Sequence, residues 1–287
     1  MSLNYGTYIS QIANLMAVQS STTQFQTMLP GMVDYAEQRL YRELNLIYTR
    51  ATVTGTLSAN SRTFSLPNAS GTIPFITVSN VNSVISGNRT PLTHMPSNVV
   101  DYLAPSDTAT AGNLPSMYYM KDQSTLTVGP SSTTSTTLEI LGTYRPAPLY
   151  ANSAVAVGSI SGTAFTVTAV RSGTLAIGQT LTADGVSAYT TITAGVASPY
   201  TITPSQNVTS RTIYAYVAGN TTQLTNFFPD LFIAASMIFA SGYQRDFGSQ
   251  SDNPQQAQSW ESQYQTLIKS ASTEEARKRF NEEAFKQ

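Results

Sequence analysis

The sequence predicts an α+β protein. A helical hub comes from both chain termini, an antiparallel β-sandwich or barrel region lies between them, and a small all-β domain is inserted. Three observations carry this. Apolar residues recur at helical spacing near both ends. Between about Arg50 and Tyr150 they alternate with period two. Near Asn152 the composition breaks.

At the N-terminus Tyr5, Tyr8, Ile9, Ile12, Leu15 and Met16 fit one helix face, and the pattern stops at the polar Gln19–Thr23. Pro30 reads as a first-turn proline of a second helix, with Met32, Val33, Ala36, Leu40 and Leu44 on one face. The opposite face is polar: Asp34, Glu37, Arg39, Arg42 and Glu43. Arg39 and Glu43 are spaced to pair along it.

Short runs at Val53–Leu57, Thr63–Leu66, Phe75–Ser79, Val81–Ile85, Val99–Leu103, Met117–Lys121, Leu126–Val128 and Leu138–Tyr144 read as strands, separated by turn residues. Met117–Lys121 and Thr125–Val128, joined through Asp122–Ser124, form a hairpin.

Residues 152–219 contain only three charged side chains, Arg171, Asp184 and Arg211, which sets them apart as an inserted Gly/Thr-rich β-domain. Val167, Ala169, Leu175, Ile177, Leu181, Val186 and Ile192 are its expected inward face. Residues 1–151 and 220–287 are left as the core. Among the insert's tyrosines, Tyr189 and Tyr200 are candidate contact residues. Their rings suit stacking on sugars, and core or strand-pairing roles are the commoner use of such tyrosines.

Beyond the insert, Asn226 reads as an N-cap and Pro229 as first-turn. The segment "LFIAASMIFASGYQRDF" is apolar nearly all round, as a central buried helix is. Asp252 or Asn253 then caps a last helix with a stripe of Ala257, Trp260, Tyr264, Leu267, Ile268 and Ala271. Ser272–Glu275 fits a capping box, where that helix could break and restart. Residues 273–287 hold eight of the chain's 31 charges, with Phe280 and Phe285 among them. This is either a solvated helix end or a docking tail.

Composition narrows the function. Charged residues are 11% of the chain, against about 25% in an ordinary globular protein. The net charge is −1, which disfavours a protein that holds nucleic acid by neutralising phosphates. There are no cysteines, and His94 is the single histidine, so neither a thiolate nor an ordinary zinc site is expected. No nucleophile elbow, P-loop, dinucleotide fingerprint or calcium loop occurs. No catalytic residues, metal or cofactor are expected. The most apolar stretch, Leu231–Ala240, is half the length of a membrane span of about 20 residues. The first residues lack the pattern of a secretory signal.

Two blocks carry a resemblance. "MLPGMVDYAEQRLYREL" (28–44) and "TNFFPDLFIAASMIFASGYQRDFGSQSDNPQQAQSWESQYQTLI" (225–268) resemble the helices of head-to-tail adaptor proteins of short-tailed phages. "VTGTLSANSRTFSLP", "PSMYYMKDQSTLTVGP" and "LEILGTYRPAPL" look like that family's strands. The resemblance implies a structural virion protein at the head–tail interface, assembled in the host cytoplasm. It implies a ring of twelve copies beneath the portal, linked to the tail nozzle, with DNA passing through the lumen. On this reading Arg277, Lys278, Arg279, Phe280 and Phe285 dock on the portal protein. Val33, Leu40, Leu44, Trp260, Tyr264 and Leu267 pack the ring helices. The 152–219 insert, which departs from the family's minimal pattern, would meet tail fibres or capsid. The alternative is a carbohydrate- or receptor-binding tail module, based on the Thr-rich β-content.

Overall fold

The structure is a computed structural model describing residues 3–108, 113–243 and 254–284. The chain divides into two compact units. One is Met1–Asn45 with Ala147–Gln287, and the other is Leu46–Pro146.

Helix α1 (Tyr5–Leu15) starts at a reciprocal cap. The Thr7 N–H donates to Asn4 Oδ1, and the Asn4 N–H donates to Thr7 Oγ1, so two orphan donors are satisfied. Tyr5, Tyr8, Ile9 and Ile12 are buried as their spacing requires, while Leu15 is half exposed and Met16 packs inward instead. Helix α2 runs Thr23–Glu43, so Pro30 lies inside it and not in its first turn. An internal proline removes one helical hydrogen bond and costs ~3 kcal/mol. Phe25, Met28 and Leu29 ahead of it are all buried, and each such side chain is worth ~1.5–3 kcal/mol. Their packing outweighs the proline and holds the earlier turns. Glu37, expected on the solvent face, is buried.

The second unit is built of β1 (Arg50–Leu57), β2 (Thr63–Ser65), β3 (Thr77–Ile85), β4 (Asn88–Pro91), β5 (Thr93–His94), α3 (Ser97–Leu103), β6 (Met117–Asp122), β7 (Thr125–Gly129) and β8 (Thr136–Thr143). They form two four-stranded sheets, ordered β1-β8-β3-β4 and β2-β7-β6-β5. All pairings are antiparallel except β5 with β6. Both sheets supply one core of Leu57, Phe64, Phe75, Val81, Tyr118, Leu126, Val128, Leu138 and Ile140. The expected β6–β7 hairpin is present. Asp122 Oδ1 accepts from the Ser124 N–H at 2.8 Å and fixes its turn. Two expectations fail. Val99–Leu103 is helical, because seven residues are too few for the apolar period to separate helix from strand. Phe75–Ser79 and Val81–Ile85 are not two strands; residues 77–85 form one strand with a bulge between Val78 and Asn80.

The first unit resumes with a sheet ordered β10-β11-β12-β9, in which β10 also pairs with β12. Strands β9 (Ala154–Ser172) and β12 (Tyr200–Tyr216) are long. Strands β10 (Thr180–Thr182) and β11 (Thr191–Ala194) are short. Their core comprises Ala154, Ala156, Ile160, Phe165, Leu175, Leu181, Ile192, Ile202, Val208 and Ile213, among others. Ala169 and Ile177, expected to point inward, are exposed, while Val167 and Val186 pack at its edge. The long strands dominate the core, so the Gly-bounded turns carry less of it than the sequence pattern implied.

Helix α4 (Gln223–Phe227) is capped by Thr222 with Thr225, so Asn226 lies within it and is not an N-cap. Pro229 is the first residue of α5 (Pro229–Tyr243). Helix α5 is buried on most sides, as its unbroken apolar composition demands, and contacts α1, α2, α4 and α6. Tyr8 donates to Ser236 Oγ at 3.0 Å, which ties α1 to α5. Helix α6 (Pro254–Ala284) is continuous through Ser272–Glu275, so the expected break does not occur. Buried Ala271 and Glu275 extend its packed stripe past that point. Asp252 and Asn253 lie outside the described residues.

Candidate functional site

The sequence-chosen residues fall into three places in the first unit. The first is the contact of α2 with α6. Val33, Leu40, Leu44 and Tyr264 are buried, and Trp260 and Leu267 are half-buried. Arg39 joins the two helices. Its guanidinium donates two parallel bonds to Glu261, at 2.8 and 2.6 Å, and a third to Glu43 at 3.0 Å. The same group lies 4.0 Å from the centroid of the Tyr264 ring, and Tyr264 donates its hydroxyl proton to Glu43. The Arg39–Glu43 pair follows from spacing alone. Glu261 is 222 positions away, and no local pattern points to it. Arg39 holds the Glu261 carboxyl below the usual carboxylate range.

Beneath this contact Glu37 accepts the Leu149 N–H at 2.9 Å, and Tyr150 donates to Asp34 at 2.9 Å. Burial pushes the Glu37 carboxyl up to about 8, against the opposing effect of the Leu149 hydrogen bond. These bonds fasten the segment entering β9 to α2.

The second place is the end of α6. Lys278 bonds Glu274 and Glu275 on its own helix, and its ammonium lies 5.1 Å from the Phe227 ring and 5.5 Å from the Phe228 ring. Lys278 is therefore engaged within the chain, whereas Arg277 is exposed. Phe285 and the side chains of Arg279 and Phe280 lie outside the described residues.

The third place is the β9–β12 sheet. Tyr189 is 89% exposed. Tyr200 is buried against Phe165, so of the two only Tyr189 presents a free ring. Elsewhere, His94 sits on edge strand β5 with its ring against Tyr118. Among the described residues no cluster of three or more His, Cys, Asp or Glu could hold a metal ion. Among them, too, no helix is long and apolar enough to cross a membrane.

Sequence reasoning missed one feature altogether, a cleft of about 380 Å³ where the first turns of α2 meet the roots of β9 and β12. Its wall residues run from Tyr5 to Tyr216, and no motif signals their meeting.

Helices from both chain ends pack around α5 in a protein of the α+β class. A family model described as SU10 adaptor protein matches residues 3–165, more than half of the chain. The chain belongs to the SU10 adaptor protein family, a family of phage structural adaptor proteins and not of enzymes. No curated protein matches the chain.

Proposed function

We propose that the protein is the head-to-tail adaptor of a short-tailed phage. Its subunits form a ring, twelve by resemblance, beneath the portal. The ring joins the portal to the tail nozzle and fibres and leaves a lumen through which DNA passes. Membership of the adaptor family is the observation that carries this reading. The packing of α1, α2, α5 and α6 supports a helical hub as the ring body, with the sheets of 46–146 as its β-sandwich. The net charge of −1 suits a channel in which DNA slides without being held.

Residues 152–219 act as an inserted domain that meets fibres or capsid. Their core is drawn wholly from positions 154–215, and Tyr189 offers an exposed ring. The end of α6, with Arg277 foremost and Lys278, Arg279, Phe280 and Phe285 around it, docks on the portal. The site of action is the head–tail interface, after assembly in the host cytoplasm.

The test is the mass of the portal protein from the same genome, alone and mixed with this chain. The expected gain is about one copy per portal subunit, as a matched ring requires. No gain in mass overturns the adaptor reading. Arg277→Glu, at an exposed position, is expected to weaken the complex while leaving the fold intact. Unchanged association would remove the docking role given to α6.

A further inference from the structure

The cleft between α2 and the β9–β12 sheet has the makings of a ligand site. At about 380 Å³ it falls in the range of small-molecule pockets. Its lining combines rings and hydroxyls: Tyr5, Tyr150 and Tyr216 with Thr23, Thr27 and Thr212. Tyr5 is 4% exposed, lines the cleft and has no hydrogen-bond partner for its hydroxyl among the described residues. Ser153 Oγ, also in the wall, is buried and unpaired. The Ser153 oxygen is sealed from the cleft, whereas the Tyr5 hydroxyl is not sealed and is left to bond whatever fills it.

The charge in the cleft has one sign. Arg171 lines it and makes no ion pair among the described residues, and no carboxylate is in the wall. The first turn of α2 opens on it, and Thr22 provides that helix with no side-chain cap. An anionic group is therefore favoured. An extended peptide is not, because the wall has no free ladder. Ala154 and Val155 pair with Ala215 and Tyr214, β10 takes the other edge of β12, and the chain at Gly173 lies against Ser153 and Ala154.

We propose that this cleft binds an acidic sugar unit, its carboxylate on Arg171 and its hydroxyls on Tyr5 and the threonines. The site is independent of the adaptor reading and distinct from the exposed Tyr189. It would let the protein engage an acidic polysaccharide. Burial pushes the Tyr5 hydroxyl far above its ordinary value, so it remains a donor at any working pH.

The test is calorimetry on the full chain with glucuronic, galacturonic and N-acetylneuraminic acids, and with glucose, acetate and triglycine as comparisons. At least one acidic sugar is expected to bind saturably, about tenfold or more tighter than glucose or acetate, since a charge-assisted contact is lost in each comparison. Arg171→Gln and Tyr5→Phe, both compatible with the fold, are expected to weaken it, Arg171→Gln by about tenfold. Arg145→Gln, at an exposed arginine in the other unit, is expected to leave it unchanged. Binding of none of the three sugars overturns the proposal. So does binding that survives Arg171→Gln, and so does triglycine binding as tightly as the sugars, which would make the cleft a peptide site.

Discussion

Glu37 holds a carboxyl group on the inner face of α2, only 5% exposed, with one backbone donor to satisfy it. Desolvation there favours the neutral acid, and the folded value of about 8 stands above the ordinary 4.5. The nearby Asp34 carboxylate adds to the rise. The sign follows from linkage. A raised folded value means that folding is favoured when the group is protonated. The contribution is complete below about pH 4.5 and is lost as pH climbs through about 8. Glu37→Gln keeps an acceptor for the Leu149 N–H and removes the ionisation. Its melting temperature is expected to vary less between pH 5 and pH 9 than that of the parent, as followed by circular dichroism. At the alkaline end it should exceed the parent, by up to a few kcal/mol of stability. Identical pH profiles for the two proteins would mean that Glu37 reaches water. From sequence alone Glu37 counted as one of five polar residues on a solvent face. The hydrogen bond that draws it inward comes from residue 149, so nothing within helical range of Glu37 could have shown it.

Among the helices, those whose apolar period extends over several turns were legible, and α3, at seven residues, was not. Helices α1, α2, α5 and α6 were found by spacing, and α5 was recognised as buried from its composition. Helix α3 was read as a strand, and the start of α2 was set by a proline that tertiary packing overrides. Contacts between distant elements were invisible, and the α2–α6 clamp is the clearest case. Arg39→Ala removes a bidentate pair, a third carboxylate bond and the cover over Tyr264, while leaving Glu261 half exposed to water. Solvent screening limits the loss, and chemical denaturation is expected to show ~1–3 kcal/mol. Arg39→Lys should recover only part of it, because a point charge does not reproduce the planar fork. Full recovery by lysine would show that charge alone matters there. In the β-region the corresponding test is Gly142→Ala on the central strand β8. An added Cβ would collide with the Thr77 carbonyl and the Phe75 ring, and backbone does not yield as a side chain does. A loss of ~2–4 kcal/mol is expected, against little change for Gly219→Ala, where nothing lies nearby. Equal effects would mean that strand β3 can shift.

At the scale of the molecule the chain order and the compact units do not coincide, and this decides how the protein can be divided. Residues 46–146 are continuous, and their core of Leu57, Phe64, Phe75, Leu126, Leu138 and Ile140 lies wholly within them. At roughly a hundred residues such a domain is large enough to fold alone. The other unit is discontinuous, because α5 buries its surface against α1 and α2 from the start of the chain. Residues 147–287 alone would expose that face, at ~25 cal/mol per Å² of apolar surface left in water. A fragment of residues 46–146 is therefore expected to unfold cooperatively, with a β-type circular dichroism spectrum. A fragment of residues 147–287 is expected to lack stable tertiary packing in its helices, and adding a fragment of residues 1–45 should restore it. The β9–β12 sheet, whose core is internal to 154–215, should remain folded in both cases. Cooperative helical unfolding by 147–287 alone would show that α5 and α6 suffice for each other. The hub would then need only one end of the chain, and the hub role given to both termini in the adaptor reading would fall.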